Sequence, residues 1–131
     1  MRFLVDTSVL LWSTAEEHKL NPRAKELLSS QSSELFLSAA SAWEIAIKYA
    51  LGILKLHASP ELYIPEVLSA MDIHALGISL VHAIDAGKLP QHHRDPFDRM
   101  LVAQANTEQM VLLTADRIFE KYRVEQVFCG K

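Results

Sequence analysis

The sequence predicts an α/β fold: a three-layer α/β/α sandwich around a mostly parallel central sheet of about five strands, in one domain spanning residues 1–131. Three observations carry this. Short apolar runs of strand length alternate with helical segments along the chain. Two of the runs, Phe3-Leu4-Val5 and Met110-Val111-Leu112-Leu113, are apolar without alternation, as strands covered on both faces are. Half of the 131 residues are hydrophobic, which suits a chain that buries roughly two-thirds of its unfolded surface.

The elements follow in order. Arg2–Val5 is the first strand; it stops at Asp6-Thr7-Ser8, and Val9 to Ser13 reads helical. Asn21-Pro22 opens a second helix through about Leu28, with a capping side chain followed by a proline where a missing N–H costs nothing. The polar run 29–33 is a loop, and Glu34–Leu37 is the second strand. From Ser38 to Leu51 the pattern is helical, with Gly52 as its stop. The predicted apolar face of this helix is Ala40, Trp43, Ile47, Ala50 and Leu51, with Glu44 at its edge. Ser41-Ala42-Trp43-Glu44 matches a capping box, and Glu44 also lies one turn from Lys48. Pro60–Met71 is a further helix that Pro65 is expected to break or restart. Ile73–Leu76 is the third strand, and Leu80–Ala86 is a short helix closed by Gly87. Lys88–Arg94 is a basic, irregular approach to Asp95-Pro96, which opens another helix by the same capping logic. Met110–Leu113 is the fourth strand. After Thr114-Ala115-Asp116 comes a short helix to about Tyr122, and Glu125–Phe128 is the last strand.

Composition bounds the function. A net charge of −3 gives no global basic field, so a nucleic-acid partner would need local lysines and arginines, with the acids shielded by metal. Cys129 is the only cysteine. No internal disulfide can form, which fits a reducing, cytoplasmic setting. No apolar run approaches the ~20 residues of a membrane span, and no charged-then-apolar leader opens the chain.

The acids are the informative residues. Asp98 falls inside the arc Phe97, Leu101, Val102 and Ala105 of its helix, where a carboxylate is costly unless something cationic meets it. Its bland alternative is to complement the helix dipole. Asp6 and Asp116 each follow a strand closely, so both are expected at the carboxyl rim of the sheet, where ligands of such folds gather. Asp98 can face that rim, and Glu44 needs only a favourable helix placement. Four carboxylates brought together in a low-dielectric cleft repel by several kcal/mol, and a divalent cation resolves that. Oxygen ligands select Mg²⁺, with Mn²⁺ as its substitute. Such a cage suits attack of water on a phosphodiester.

These residues carry a resemblance. Asp6-Thr7 after the first strand, Trp43-Glu44-Ile45-Ala46, Asp98-x-x-Leu101-Val102-Ala103 and Thr114-Ala115-Asp116 resemble, in order and over nearly the whole chain, the acidic signatures of PIN domains. Length and order are similar to the toxin halves of VapBC toxin–antitoxin pairs, and His93-Arg94-Asp95-Pro96-Phe97-Asp98-Arg99 to one subgroup of them. The resemblance implies an Mg²⁺-dependent endoribonuclease cutting single-stranded or loop RNA. It also implies a cognate antitoxin that covers the site, and a toxin homodimer. By that match Asp6, Glu44, Asp98 and Asp116 form the metal cage, and Thr7 and Thr114 orient it by hydrogen bonds. Some members place Asn near the fourth position. Asp95 lies one turn from Asp98, but helix capping explains it.

The remaining residues have plainer readings beside functional ones. Arg94, Arg99 and Arg117 flank two of the acids and would contact RNA or antitoxin, or simply partner nearby carboxylates. His92-His93 would contact phosphate or bind metal, though for metal they lack a third spaced ligand. Trp12 and Trp43 read as core or dimer contacts rather than stacking platforms, and Cys129 as a bystander. Ser13 and Ser38 have no triad partners. The rival to a nuclease is a catalytically silent PIN-like module that binds RNA or a partner. An aspartyl phosphotransferase would want a second acid where Ser8 stands, and a receiver domain an Asp at the end of a middle strand.

Overall fold

The computed structural model describes residues 1–131. A five-stranded sheet is built from β1 (Arg2–Val5), β2 (Glu34–Ser38), β3 (Ile73–Leu76), β4 (Val111–Thr114) and β5 (Gln126–Phe128). Its order is β3-β2-β1-β4-β5 and every pairing is parallel. Parallel neighbours need crossovers, and these are α1 (Thr7–Ala15), α2 (Pro22–Ser29), α3 (Ala39–Ala50), α4 (Pro60–Ala70), α5 (Leu80–Lys88) and α6 (Pro96–Glu108).

The pleat sorts the core into two layers. Phe3 and Val5 of β1 point to one face with Val9, Leu10, Ala24, Ile45, Tyr63 and Val67 from the covering helices. Leu4 points to the other, against Leu101, Val102 and Ala105 of α6 and the aromatic rings of Phe119 and Tyr122. The strands are thus apolar on both sides because both sides are covered, and the α/β/α reading holds.

Four local expectations change. α5 runs through Gly87, expected as its stop, to Lys88. The helix over residues 60–70 runs unbroken through Pro65. The carbonyl that Pro65 leaves without a partner is that of Glu61, and both residues are exposed, so water takes the missing bond. In α3 the cap is Ser38, whose hydroxyl accepts from the Ala40 N–H at 3.0 Å; Ser41 lies inside the helix and no capping box forms. The buried side of α3 is Ala40, Ser41, Glu44 and Ile45, whereas Trp43 is 61% exposed and Leu51 68%. Of the predicted apolar face only Ala40 is buried, so the side of this helix that carries Glu44 is the one facing the core. Gly52, with φ of +75°, ends the helix in the left-handed region as expected.

The strand order fixes where a site can lie. From β1 the chain moves outward to β2 and β3, then returns across β1 to place β4 on its other side. The crevice beyond the carboxyl ends of β1 and β4 is the topological switch point, where ligands bind in open α/β sheets.

Candidate functional site

Asp6 is the first residue beyond β1, at the switch point. It is only 4% exposed, and its N–H continues the ladder to the Leu113 carbonyl of β4 at 2.9 Å. On the far side of the crevice Thr114 ends β4. Its hydroxyl donates to Asp6 Oδ2 at 2.8 Å and accepts from the Asp116 N–H at 3.0 Å. One threonine thus ties the loops after both strands together.

The cleft above them holds about 190 Å³, and Asp6, Thr7, Glu44, Asp95, Asp98 and Asp116 all line it. Burial, and next the charge of Asp98, push the Asp6 carboxyl from its ordinary 3.8 to about 7. Hydrogen bonds from Thr114 and the Thr7 backbone oppose the rise, and Glu44 adds to it. Burial likewise lifts Asp98 to about 6, against the hydrogen bond from His93, with Asp95 and Glu44 contributing repulsion. Asp6, Glu44 and Asp98 thus repel one another in the cleft, whereas Asp116, the fourth acid expected to join them, is not among the causes of either rise.

Each acid is held differently. Glu44 comes in on the buried stripe of α3, and Lys48 Nζ lies 2.8 Å from its Oε2. Asp98 stands in the first turn of α6, with His93 Nε2 2.7 Å from its Oδ2. Asp116 is exposed at the rim, and its Oδ1 accepts from the Ile118 N–H. Asp95 is the cap of α6, accepting from the N–H groups of Phe97 at 2.9 Å and Asp98 at 3.3 Å, so its capping role is the one seen. Thr7 Oγ1 is buried in the cleft with no hydrogen-bond partner, so its side chain does not orient the acids as expected; only its backbone N–H bonds Asp6. A buried hydroxyl without a partner is uncommon, and an oxygen donor or water on a bound cation would satisfy it.

The flanking arginines divide. Arg99 is spent on the protein: its guanidinium donates to the carbonyls of Ala86, Leu89, Pro90 and His93. Arg117 pairs with Glu120 at 2.7 Å and lies 3.7 Å over the Phe128 ring. Arg94 is exposed and its side chain makes no ion pair or hydrogen bond.

From sequence His93 reads only as a phosphate contact or metal ligand, and its contact with Asp98 is not foreseen. Its ring atom and carboxylate oxygens of Asp98 and Asp116 lie within 4.8 Å of one another. The signal was its place five residues before Asp98, across a rigid Asp95-Pro96 cap that turns the chain back over the helix start. A larger depression of about 390 Å³ sits near Met71 and Asp72, at the amino end of β3, lined by Ser13, Glu17, Lys25 and Leu28 among others. Its only acids are Glu17 and Asp72, and they form no metal-type cluster.

A parallel α/β/α domain with acids gathered at its switch point is the class that fold and site define. The chain belongs to the PIN domain family, whose model matches residues 3–125. Solved structures share the fold. The crystal structure of VapBC2 from Rickettsia felis bound to a promoter DNA fragment contains a chain similar at TM-score 0.76 and 14% identity, with 99% of this chain and 100% of that one covered. A chain of DNA-bound VapBC from Salmonella typhimurium is similar at 0.67 and 18%, with 98% of each covered. One of a toxin–antitoxin complex from Klebsiella pneumoniae is similar at 0.66 and 19%, covering 95% and 94%. Among curated proteins no relative matches. No helix is long and apolar enough to cross a membrane.

Proposed function

We propose that this PIN domain is an Mg²⁺-dependent endoribonuclease and the toxin of a type II toxin–antitoxin pair, cutting single-stranded or loop RNA. The observation that carries the reading is the convergence of Asp6, Glu44 and Asp98 in one cleft where burial and mutual repulsion raise Asp6 to about 7. A fold gains nothing from such an arrangement unless a cation completes it. The donor set fits a hard dication: carboxylate oxygens, with the unpartnered Thr7 hydroxyl beside them. Mn²⁺ would substitute.

Asp6, Glu44, Asp98 and Asp116 would hold the ion, which when bound lowers the pKa of water and neutralises a phosphodiester. Thr114 holds Asp6 by its hydroxyl, so the carboxylate at the crevice floor keeps one orientation. Lys48 offsets part of the negative charge through Glu44. Arg94, the flanking arginine without a protein partner, is the side chain left for RNA or antitoxin. The toxin–antitoxin complexes among the similar structures support a partner protein.

The test is cleavage of structured RNA by the purified chain. Mg²⁺ or Mn²⁺ should sustain it, EDTA should stop it, and Asp98→Asn should abolish it in a protein that remains folded. Undiminished cleavage by the folded Asp98→Asn variant would refute the assignment. Metal-independent RNA binding without cleavage would point to the silent module instead.

A further inference from the structure

We infer that His93 is a positioning residue that fixes the Asp98 carboxylate for the cation, and that the segment around it is built to hold that imidazole in place. The inference rests on the metal reading above and assigns a residue which that reading leaves without a role.

The geometry begins at the ring. Nε2 lies 2.7 Å from Asp98 Oδ2, and the side chains are 25% and 14% exposed. A carboxylate in the first turn of a helix is free to rotate about its terminal torsion, which has no sharp minimum. A donor on Oδ2 removes that freedom and leaves Oδ1 for a ligand. Ligating carboxylates are typically oriented by hydrogen bonds of this kind.

The backbone of His93 is gripped from two sides. Its N–H donates to the Tyr122 hydroxyl at 2.9 Å, and that hydroxyl donates in turn to the Pro90 carbonyl at 3.2 Å. From the other side the Arg99 guanidinium gathers the carbonyls of Ala86, Leu89, Pro90 and His93 at 2.9 to 3.4 Å. Tyr122 is anchored in the core layer beneath α6, and Arg99 is the neighbour of Asp98 on α6 itself. An irregular segment therefore carries its histidine on supports tied to the helix that bears Asp98. A surface ion pair would not need them, since such pairs contribute little and tolerate mobile partners.

Orientation fits better than direct ligation. The Nε2 to Oδ2 separation is that of a hydrogen bond, and because an ionised carboxylate can only accept, Nε2 is its donor. To bind a metal, that nitrogen would lose its hydrogen, and Asp98 would lose its partner.

The experiment measures Mn²⁺ binding by calorimetry and electron paramagnetic resonance on the full chain, with thermal melting as a control. His93→Ala should bind Mn²⁺ about 10–100-fold more weakly than wild type, and His93→Gln, which keeps an N–H donor, should recover most of the loss. Tyr122→Phe should weaken binding in the wild-type background and add nothing in His93→Ala, because the two would act through one contact. Wild-type affinity in folded His93→Ala would overturn the inference. Failure of His93→Gln to recover, or nitrogen coupling from His93 in the Mn²⁺ spectrum, would overturn it in favour of ligation. Absence of Mn²⁺ binding by the wild-type chain would remove the metal reading and this inference with it.

Discussion

Replacing Asp6 with asparagine should stabilise the metal-free protein at pH 8 and lose that advantage near pH 4. The carboxyl titrates at about 7 in the folded chain against an ordinary 3.8. At about 1.4 kcal/mol per pH unit this difference amounts to roughly 4 kcal/mol. Because the folded value is the higher one, the folded state holds a proton that the unfolded chain has released. Stability therefore falls as pH rises from about 4 to 7, then levels off. Asparagine keeps an acceptor oxygen for the Thr114 hydroxyl and carries no charge, but its amide must find a new acceptor, so a gain of about 2–3 kcal/mol at pH 8 is expected. Asp98 titrates nearby at about 6, and the observed slope will belong to the pair. The assay is urea denaturation in EDTA between pH 5 and 8.5, read at constant m. A wild-type midpoint that does not move across this range, or an Asp6→Asn variant less stable than wild type at pH 8, would refute the reasoning. Adding Mg²⁺ at about 100 times its Kd should return about 2.7 kcal/mol to the wild type and little to the variant.

Other outcomes follow from the same structure. Asp95→Ala removes the α6 cap and should cost about 1 kcal/mol while RNA cleavage persists; loss of cleavage at unchanged stability would instead make Asp95 a ligand. Ile45→Ala should cost 2–5 kcal/mol, whereas Trp43→Ser should cost at most about 1.5, the worth of its edge contact with Phe97; thermal melting of both tests which side of α3 is the core. Burial, with the charge of Asp6 beside it, lifts the Cys129 thiol to about 11, so a thiol reagent at pH 8 should react only as the protein unfolds. Arg94→Ala should weaken RNA binding by the inactive Asp98→Asn protein and lower the salt slope by about one, as measured in a salt titration.

The fold was legible because its strongest signals are local. A strand covered on both faces is apolar wherever it is covered, as Phe3–Val5 of β1 and Val111–Leu113 of β4 are. The caps at Asn21-Pro22 and Asp95-Pro96 are set by residues adjacent in the chain, and both form as read: Asn21 accepts from the Ala24 N–H at 2.8 Å, and Asp95 from Phe97 and Asp98. The face of α3 was misread for the opposite reason. A helical wheel ranks residues by polarity, and on polarity alone Trp43 and Leu51 outrank Ser41 and Glu44. The side that packs against β2 and α1 is the one carrying Ala40, Ser41 and Ile45, and it brings Glu44 into the cleft. The exposed Trp43 follows from that orientation.

The acids of the cleft were legible for a related reason, and His93 was not. Asp6 directly follows β1 and Asp116 lies two residues beyond β4, and parallel strands share one carboxyl rim, so alternation alone predicts that they share it. Asp98 stood out because it interrupts an apolar arc, a conflict between local pattern and burial of the kind that functional sites produce. His93 interrupts nothing. It lies in a basic, irregular stretch where any histidine reads as solvated, and its position depends on Arg99 and on Tyr122, far along the chain. The run His93-Arg94-Asp95-Pro96-Phe97-Asp98-Arg99 sets its spacing to Asp98 but not its orienting role. That role becomes visible only when the supports beneath it can be followed atom by atom, which is why the Tyr122→Phe and His93→Ala comparison is the sharper test of how this cleft is assembled.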